Sequence, residues 1–231
     1  MRIGLVTPAW PGTQTANGIT TAVYHLARGL TETGHEVVIL PLRQDGTPGE
    51  FSICPVPQRP WSFVQRVRGR LEAITARDEV ASEVPALRIA EAVQDAQLEH
   101  GLDVVVMEES FGWAGYLQRW IDIPLVITLH GPWFLHKALQ STGADRSDDA
   151  RERREAAALR AADGITAPSL DVLAATRAAL RLPSEIPQIV LRNPIPLPEA
   201  REACPPCAID ESGLLFIGRF DRHKGGDTVL A

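Results

Sequence analysis

Residues 1–40 read MRIGLVTPAWPGTQTANGITTAVYHLARGLTETGHEVVIL. Arg2 to Thr7 is an almost continuous apolar run halted by Pro8, the pattern of a strand buried on both faces of a parallel sheet. A loop rich in Gly, Pro, Thr and Asn follows. Val23, Leu26, Ala27 and Leu30 then recur at i, i+3, i+4 and i+7, which is one face of an amphipathic helix. Gly34 is placed to stop that helix, and Glu36 to Leu40 reads as a second buried strand. Strand, loop, helix and strand make a βαβ unit, whose right-handed crossover builds a parallel sheet.

The alternation continues downstream. Asp103–Met107, Leu125–Leu129, Gly164–Ala167 and Gln188–Leu191 read as further strands. An Ala-rich helix near Pro85–Glu99 leads into the first of them, and a charged helix near Asp149–Ala162 precedes Gly164. Ser169 is placed to cap a helix carrying Leu173, Arg177 and Leu180. Between Arg43 and Arg70 the pattern predicts an excursion, with a short strand near Phe51–Val56 and a helix after Trp61. Strands alternating with helices imply an α/β fold: an open, Rossmann-like parallel sheet covered on both faces. Five prolines between Asn193 and Ser212 mark a linker. The expected organisation is a first domain over residues 1–193, a linker over 194–212, and the opening strand and loop of a truncated second Rossmann-like domain over 213–231. The strand pattern at Leu214–Ile217 needs sheet neighbours that the last residues do not supply, so the chain reads as a fragment; addition of that strand to an edge of the first sheet is the alternative.

Composition bounds the partners. The chain has 231 residues, 45% of them hydrophobic, and a net charge of -6. That excludes a generic nucleic-acid surface while leaving room for a local anion site. No apolar run is long enough to span a bilayer, and the N-terminus lacks a signal-peptide pattern. Three cysteines, Cys54, Cys204 and Cys207, suit a reducing cytoplasm. The pair Cys204 and Cys207 sits in the Pro-rich stretch without a second pair, so neither a redox motif nor a zinc site is expected. No stretch stands out as a basic amphipathic helix that would dock on a membrane.

Ligands of open parallel sheets bind beyond the carboxyl ends of the strands. The loop Pro8–Gly18 leads to a helix N-terminus at Asn17-Gly18, where bare backbone N–H groups suit an anion, or it is a plain βα turn. It matches neither the dinucleotide fingerprint nor the P-loop. His130, with Gly131 and Pro132, follows the strand at Leu125–Leu129 and points at the crevice or packs in the core. Glu108 and Glu109 end the strand at Asp103–Met107, and at most one of two adjacent residues faces the crevice. The densest cluster is GRFDRHKGG at 218–226, where Arg219 and Lys224 offer a forked guanidinium and a point charge to a diphosphate. A solvated basic turn is the plain alternative.

The opening forty residues, VITLHGPWF, ITAPS, LRNPI and above all LLFIGRFDRHKGGD resemble family-4 retaining glycosyltransferases of the GT-B fold. The resemblance runs from Met1 to the end and is weakest over residues 43–100. It implies that the first domain binds acceptor and the second binds a nucleotide-diphosphate sugar donor, with neither metal nor bound cofactor. It implies that Arg219 and Lys224 neutralise the donor diphosphate, that His130 faces the donor sugar, and that Gly12, Asn17 and Gly18 form the loop near the phosphates and acceptor. Glu109 is the expected contact to a sugar hydroxyl. The family usually has two adjacent glycines where this chain has Asn17-Gly18. The acceptor is left open between a glycan, a lipid-linked molecule and a small molecule. The family's Glu-x7-Glu element lies beyond Ala231, so the expectation is that this polypeptide alone does not turn over. A short non-catalytic binding module of the same fold is the alternative, and a nucleotide-sugar epimerase or other NAD enzyme is disfavoured by the missing glycine fingerprint.

Overall fold

Seven strands, β1 (Arg2–Thr7), β2 (Glu36–Pro41), β3 (Ser52–Ile53), β4 (Val104–Glu108), β5 (Leu125–Thr128), β6 (Gly164–Ala167) and β7 (Gln188–Val190), form one sheet in the computed structural model of the chain. Their order is β3-β2-β1-β4-β5-β6-β7, and every neighbouring pair is parallel. The structure describes residues 1–11, 17–47, 49–75, 79–137, 146–195, 216 and 225–229. The sheet is the open, Rossmann-like α/β fold that the alternating pattern implies.

The chain begins in the middle of the sheet and winds outward twice. It runs from β1 to β2 and β3 on one side, then returns to lay β4 to β7 on the other. A right-handed crossover in opposite directions puts the connecting helices on opposite faces. On one face α1 (Gly18–Glu32) packs with Ile3, Leu5, Val37, Ile39, Phe51 and Trp10. On the other face lie α3 (Glu79–His100), α4 (Trp113–Leu117), α6 (Arg146–Ala161) and α7 (Leu170–Leu180). They cover Val105, Met107, Leu125, Ile127 and Ile165. Central strands that must satisfy both layers have no polar face, which is why β1, β2 and β4 read as apolar runs.

Local chemistry sets the helix ends. Asn17 Oδ1 accepts from the backbone N–H groups of Ile19 and Thr20 at 2.9 and 3.4 Å, capping α1. Ser169 Oγ accepts from Val172 N at 3.2 Å and caps α7. The excursion after β3 delivers α2 (Phe63–Thr75), opened by a reciprocal capping box. There Ser62 N donates to Gln65 Oε1 at 2.8 Å and Gln65 N donates to Ser62 Oγ at 3.2 Å.

Three elements differ from the pattern. Helix α3 begins at Glu79 and carries Pro85 in its interior. Burial of Ser82 and Val84 and the Arg68–Glu83 ion pair at 3.2 Å hold the extra turns despite the donor that proline lacks. The helices α4 and α5 (Trp133–Lys137) have five residues each, too few to display a 3.6-residue period. Cys204 and Cys207, the linker beyond Ile195, and the strand expected at Leu214–Ile217 lie outside the described residues, Phe216 excepted; α8 (Gly226–Val229) is described. Among the described residues no helix is long and apolar enough to cross a membrane.

Candidate active site

The winding reverses between β1 and β4, and a crevice opens there at the carboxyl ends of the strands. Its walls are Leu5 and Val6 of β1, Ala22, Val23 and Leu26 of α1, and Val106 and Glu108 of β4. Thr128 and His130 extend it along β5, and Leu191 to Pro194 close it from the far side. Period-two alternation decides which side chains reach it. Val106 packs in the α1 layer and Val105 and Met107 in the opposite one, so Glu108 falls on the crevice side. By the same count Leu125, Ile127 and Leu129 are core, whereas Thr128 and His130 line the crevice. Thr166 donates its hydroxyl to Thr128 Oγ1 at 2.9 Å, which fixes the β5 side of the floor.

Of the two adjacent acids, the structure puts Glu108, not Glu109, on the crevice. Glu109 is buried, with 3% of its surface exposed, and its carboxylate turns onto the loop after β5. Oε2 accepts from His130 N at 3.0 Å and Oε1 accepts from Gly131 N at 2.9 Å. Each oxygen of the acid expected to meet a sugar hydroxyl thus takes a backbone N–H, and the side chain does not line the crevice. The side chain positions His130. Nothing in the sequence separates the two acids; only the direction of the alternation does.

Burial pushes the Glu108 carboxyl up to about 7, helped by the neighbouring Glu109. Burial also pushes Glu109 up to about 7, against the pull of the His130 and Gly131 N–H groups. His130 moves the other way: desolvation lowers it from 6.5, so its imidazole is neutral at neutral pH and can accept or donate a hydrogen bond without carrying charge. Glu108 Oε2 is buried and has no hydrogen-bond partner among the described residues.

The raised carboxyls tie stability to pH. In the folded chain each keeps its proton up to about 7, whereas the unfolded chain releases it near the ordinary 4.5. As pH rises from 4.5 to about 7 the unfolded state sheds protons that the folded state retains, so folding weakens across that window. Glu108→Gln is therefore expected to give a Tm that falls less steeply than the parent's as pH is raised through the window. Thermal unfolding at a series of pH values checks this; identical slopes for parent and variant would show that Glu108 titrates normally. The comparison with the variant matters because His130 has the opposite sign below 6.5.

Behind the His130 loop stands a second layer. Glu155 of α6 is 2% exposed and accepts from Trp133 N at 2.7 Å and from Arg151 Nε at 2.8 Å. The Arg151 guanidinium lies over the rings of Phe111 and Trp133, at 4.2 and 4.3 Å from their centroids. Phe111 stands at φ 60, in the left-handed region, with its ring stacked on Trp113 at 5.0 Å. In the sequence Glu155 is one acid among arginines on a helix that reads as solvated. Trp10 is equally unmarked: 1% exposed, it packs edge-on to Phe51 and against Tyr24, and it anchors the start of the first loop.

The other expected residues fall in two groups. Asn17 spends its side-chain oxygen on the α1 cap, and Gly18 is exposed, with open space where a Cβ would stand. No side chain therefore stands over the backbone at Gly18, while the N–H groups of Ile19 and Thr20 are taken by the cap. Gly12, Arg219 and Lys224 lie outside the described residues.

The sequence matches the family model for Glycosyltransferase Family 4 over residues 16–196. No curated protein matches it. Among solved structures the chain is similar to sucrose-phosphate synthase from Thermosynechococcus elongatus, with 15% identity and a TM-score of 0.58, over 83% of this chain and 47% of that one. It is similar to WaaG, a glycosyltransferase involved in lipopolysaccharide biosynthesis, with 14% identity and a TM-score of 0.52, over 82% and 44%. A UDP-glucosyltransferase from Polygonum tinctorium capable of glucosylating indoxyl matches with 11% identity and a TM-score of 0.50, over 87% and 54%. The chain spans about half the length of these structures, and at these identities the likeness is one of fold.

Proposed function

This chain belongs to glycosyltransferase family 4, and from that premise we propose that it serves as the acceptor-side half of an enzyme that moves a sugar from a nucleotide-diphosphate sugar to an acceptor with retention of configuration. The observation that carries the reading is the crevice at the β1/β4 switch point, lined by His130, whose backbone N–H and that of Gly131 both donate to the buried Glu109. A neutral imidazole suits the uncharged hydroxyls of a donor sugar. Glu108, with one oxygen unpartnered, is the group we assign to an acceptor hydroxyl. The open space beside Gly18, between the Asn17 cap and the body of α1, with Gly12 ahead of it in sequence, is the place we assign to phosphate or acceptor.

Arg219 and Lys224 take the donor diphosphate in this reading. Charge builds on that group as its bond to the sugar breaks, so fixed cations there act most strongly in the transition state. The test is a thermal-shift screen of the full-length protein against UDP-, GDP- and ADP-sugars, followed by Arg219→Glu and Lys224→Glu. One nucleotide sugar is expected to raise the Tm, and each reversal to weaken its binding about tenfold or more. Unchanged affinity in both variants would overturn the diphosphate assignment, and no stabilisation by any nucleotide sugar would overturn the donor class.

A further inference from the structure

Helix α2 is turned inside out. At about 100° per residue, Phe63, Val67 and Leu71 fall on one line, with Val64 beside it. That apolar stripe faces solvent: Phe63 is 73% exposed, Val64 72%, Val67 41% and Leu71 61%. The face turned inward is polar or small. Gln65, Gly69 and Glu72 are partly buried; Trp61 lies across Gly69, where a Cβ would stand 2.9 Å from its ring, and Glu72 takes Arg68 at 2.8 Å. A helix that folded only to build a core would do the reverse. The capping box at Ser62 and Gln65 shows that the helix is specified locally and not by burial of its apolar side.

Charge says what the stripe meets. Residues 51–71 carry Arg59, Arg66, Arg68 and Arg70 and no acidic residue, within a chain of net charge -6. Arg66 and Arg70 flank the stripe on one side and are exposed, and among the described residues neither side chain makes an ion pair. Arg68 flanks it on the other side and also pairs with Glu83 at 3.2 Å. A second copy of the chain is a poor occupant, because a twofold contact would set one row of arginines against its own image. An anionic bilayer offers negative headgroups above an apolar layer, in the order in which this helix presents arginine and hydrocarbon.

The location fits a docking element. Helix α3 has 22 residues and β4 has five, so α3 is about 33 Å long beside a strand of about 16 Å. Its last turn is tied to the amino edge of the sheet, where Arg2 donates to the His100 carbonyl at 2.9 Å. Its first turns therefore overhang the carboxyl edge, and α2 is bound to that overhang through Arg68 and Glu83.

We propose that α2 is a peripheral membrane anchor, laying Phe63, Val64, Val67 and Leu71 into the interface of an anionic phospholipid bilayer with Arg66 and Arg70 on the headgroups. The proposal stands independently of the transferase reading, since it draws on no residue of the crevice. The test is co-sedimentation of the protein with vesicles of phosphatidylcholine alone and of equal parts phosphatidylcholine and phosphatidylglycerol. Binding is expected only to the anionic vesicles and is expected to fall with added salt. Arg66→Gln with Arg70→Gln should weaken it about thirtyfold, at ~1 kcal/mol per arginine near an anionic surface, and Phe63→Ser with Leu71→Ser should abolish it. The four side chains are exposed, so circular dichroism should be unchanged, and the salt titration of the unaltered protein reads the same interaction without a variant. Equal binding to neutral vesicles, binding unmoved by either pair of substitutions, or no binding to either vesicle overturns the proposal. So does a concentration-dependent dimer that Phe63→Ser with Leu71→Ser dissolves while vesicles are ignored, since the stripe would then belong to a second copy.

Discussion

Gly112→Ala is expected to destabilise the protein by about 3–4 kcal/mol, the left-handed strain and the overpacking together. Gly112 stands at φ +70, where any side chain is strained, and it is buried against α6. A Cβ built on it would lie 2.6 Å from the carbonyl carbon and Cβ of Arg154 and 2.8 Å from Glu155 N. Two of these three are backbone atoms of a helix, so no rotamer change relieves the overlap. Helix α6 cannot retreat either, because Ala156, Ala158 and Leu159 on its inner side are packed into the core. The drop in Tm should be about 10 °C for a domain of this size. Gly18→Ala is the matched control: its Cβ meets nothing within 4 Å, and its Tm should stay near the parent's. A Gly112→Ala protein as stable as the control would show that α6 and the turn after β4 do not pack as described. The clash also reaches the crevice, because displacement of α6 carries Glu155 away from Trp133 N and loosens the loop behind His130.

The fold was legible because its signal is redundant. Strands β1, β2 and β4 are apolar runs that serve two layers, and the first βαβ unit marks both ends of its helix in plain view at Asn17-Gly18 and Gly34. Where one local signal stood against tertiary packing, packing won: Pro85 marks a helix start, yet Ser82 and Val84 are drawn into the core and α3 begins six residues earlier. The crevice was half legible. Its position follows from chain order alone, since the loops after β1, β4 and β5 must converge at the switch point, and His130 is there. Which carboxylate turns inward depends on strand register, and that is a property of the assembled sheet. Helix α2 was expected as an element, but the side it buries was not. An amphipathic pattern has two faces, and sequence alone does not say which of them meets the protein.

Glu109→Ala is expected to cost about 3 kcal/mol of stability and to free the His130 loop, while Glu108→Gln one residue earlier should leave stability unchanged or raise it. The two acids share burial and a carboxyl raised to about 7, but they differ in what they hold. Removing Glu109 orphans the N–H groups of His130 and Gly131, which now donate at 3.0 and 2.9 Å. Each buried donor left unmet costs about 1–3 kcal/mol, offset in part because the buried carboxyl itself is no longer desolvated. Glutamine at 109 can restore one acceptor but sets an NH2 against the other donor, so Glu109→Gln should fall between alanine and the parent. Glu108 has an oxygen with no partner among the described residues, and neutral glutamine removes the need to keep a proton there. Urea unfolding at neutral pH gives the energies, and amide exchange at His130 and Gly131 reports the loop directly. If the 108 and 109 variants lost stability alike, the division of labour between a positioning acid and a crevice acid would be wrong. If Glu109→Ala kept both amides protected, the loop would be held by something other than that carboxylate, and the imidazole would owe its place in the crevice to another contact.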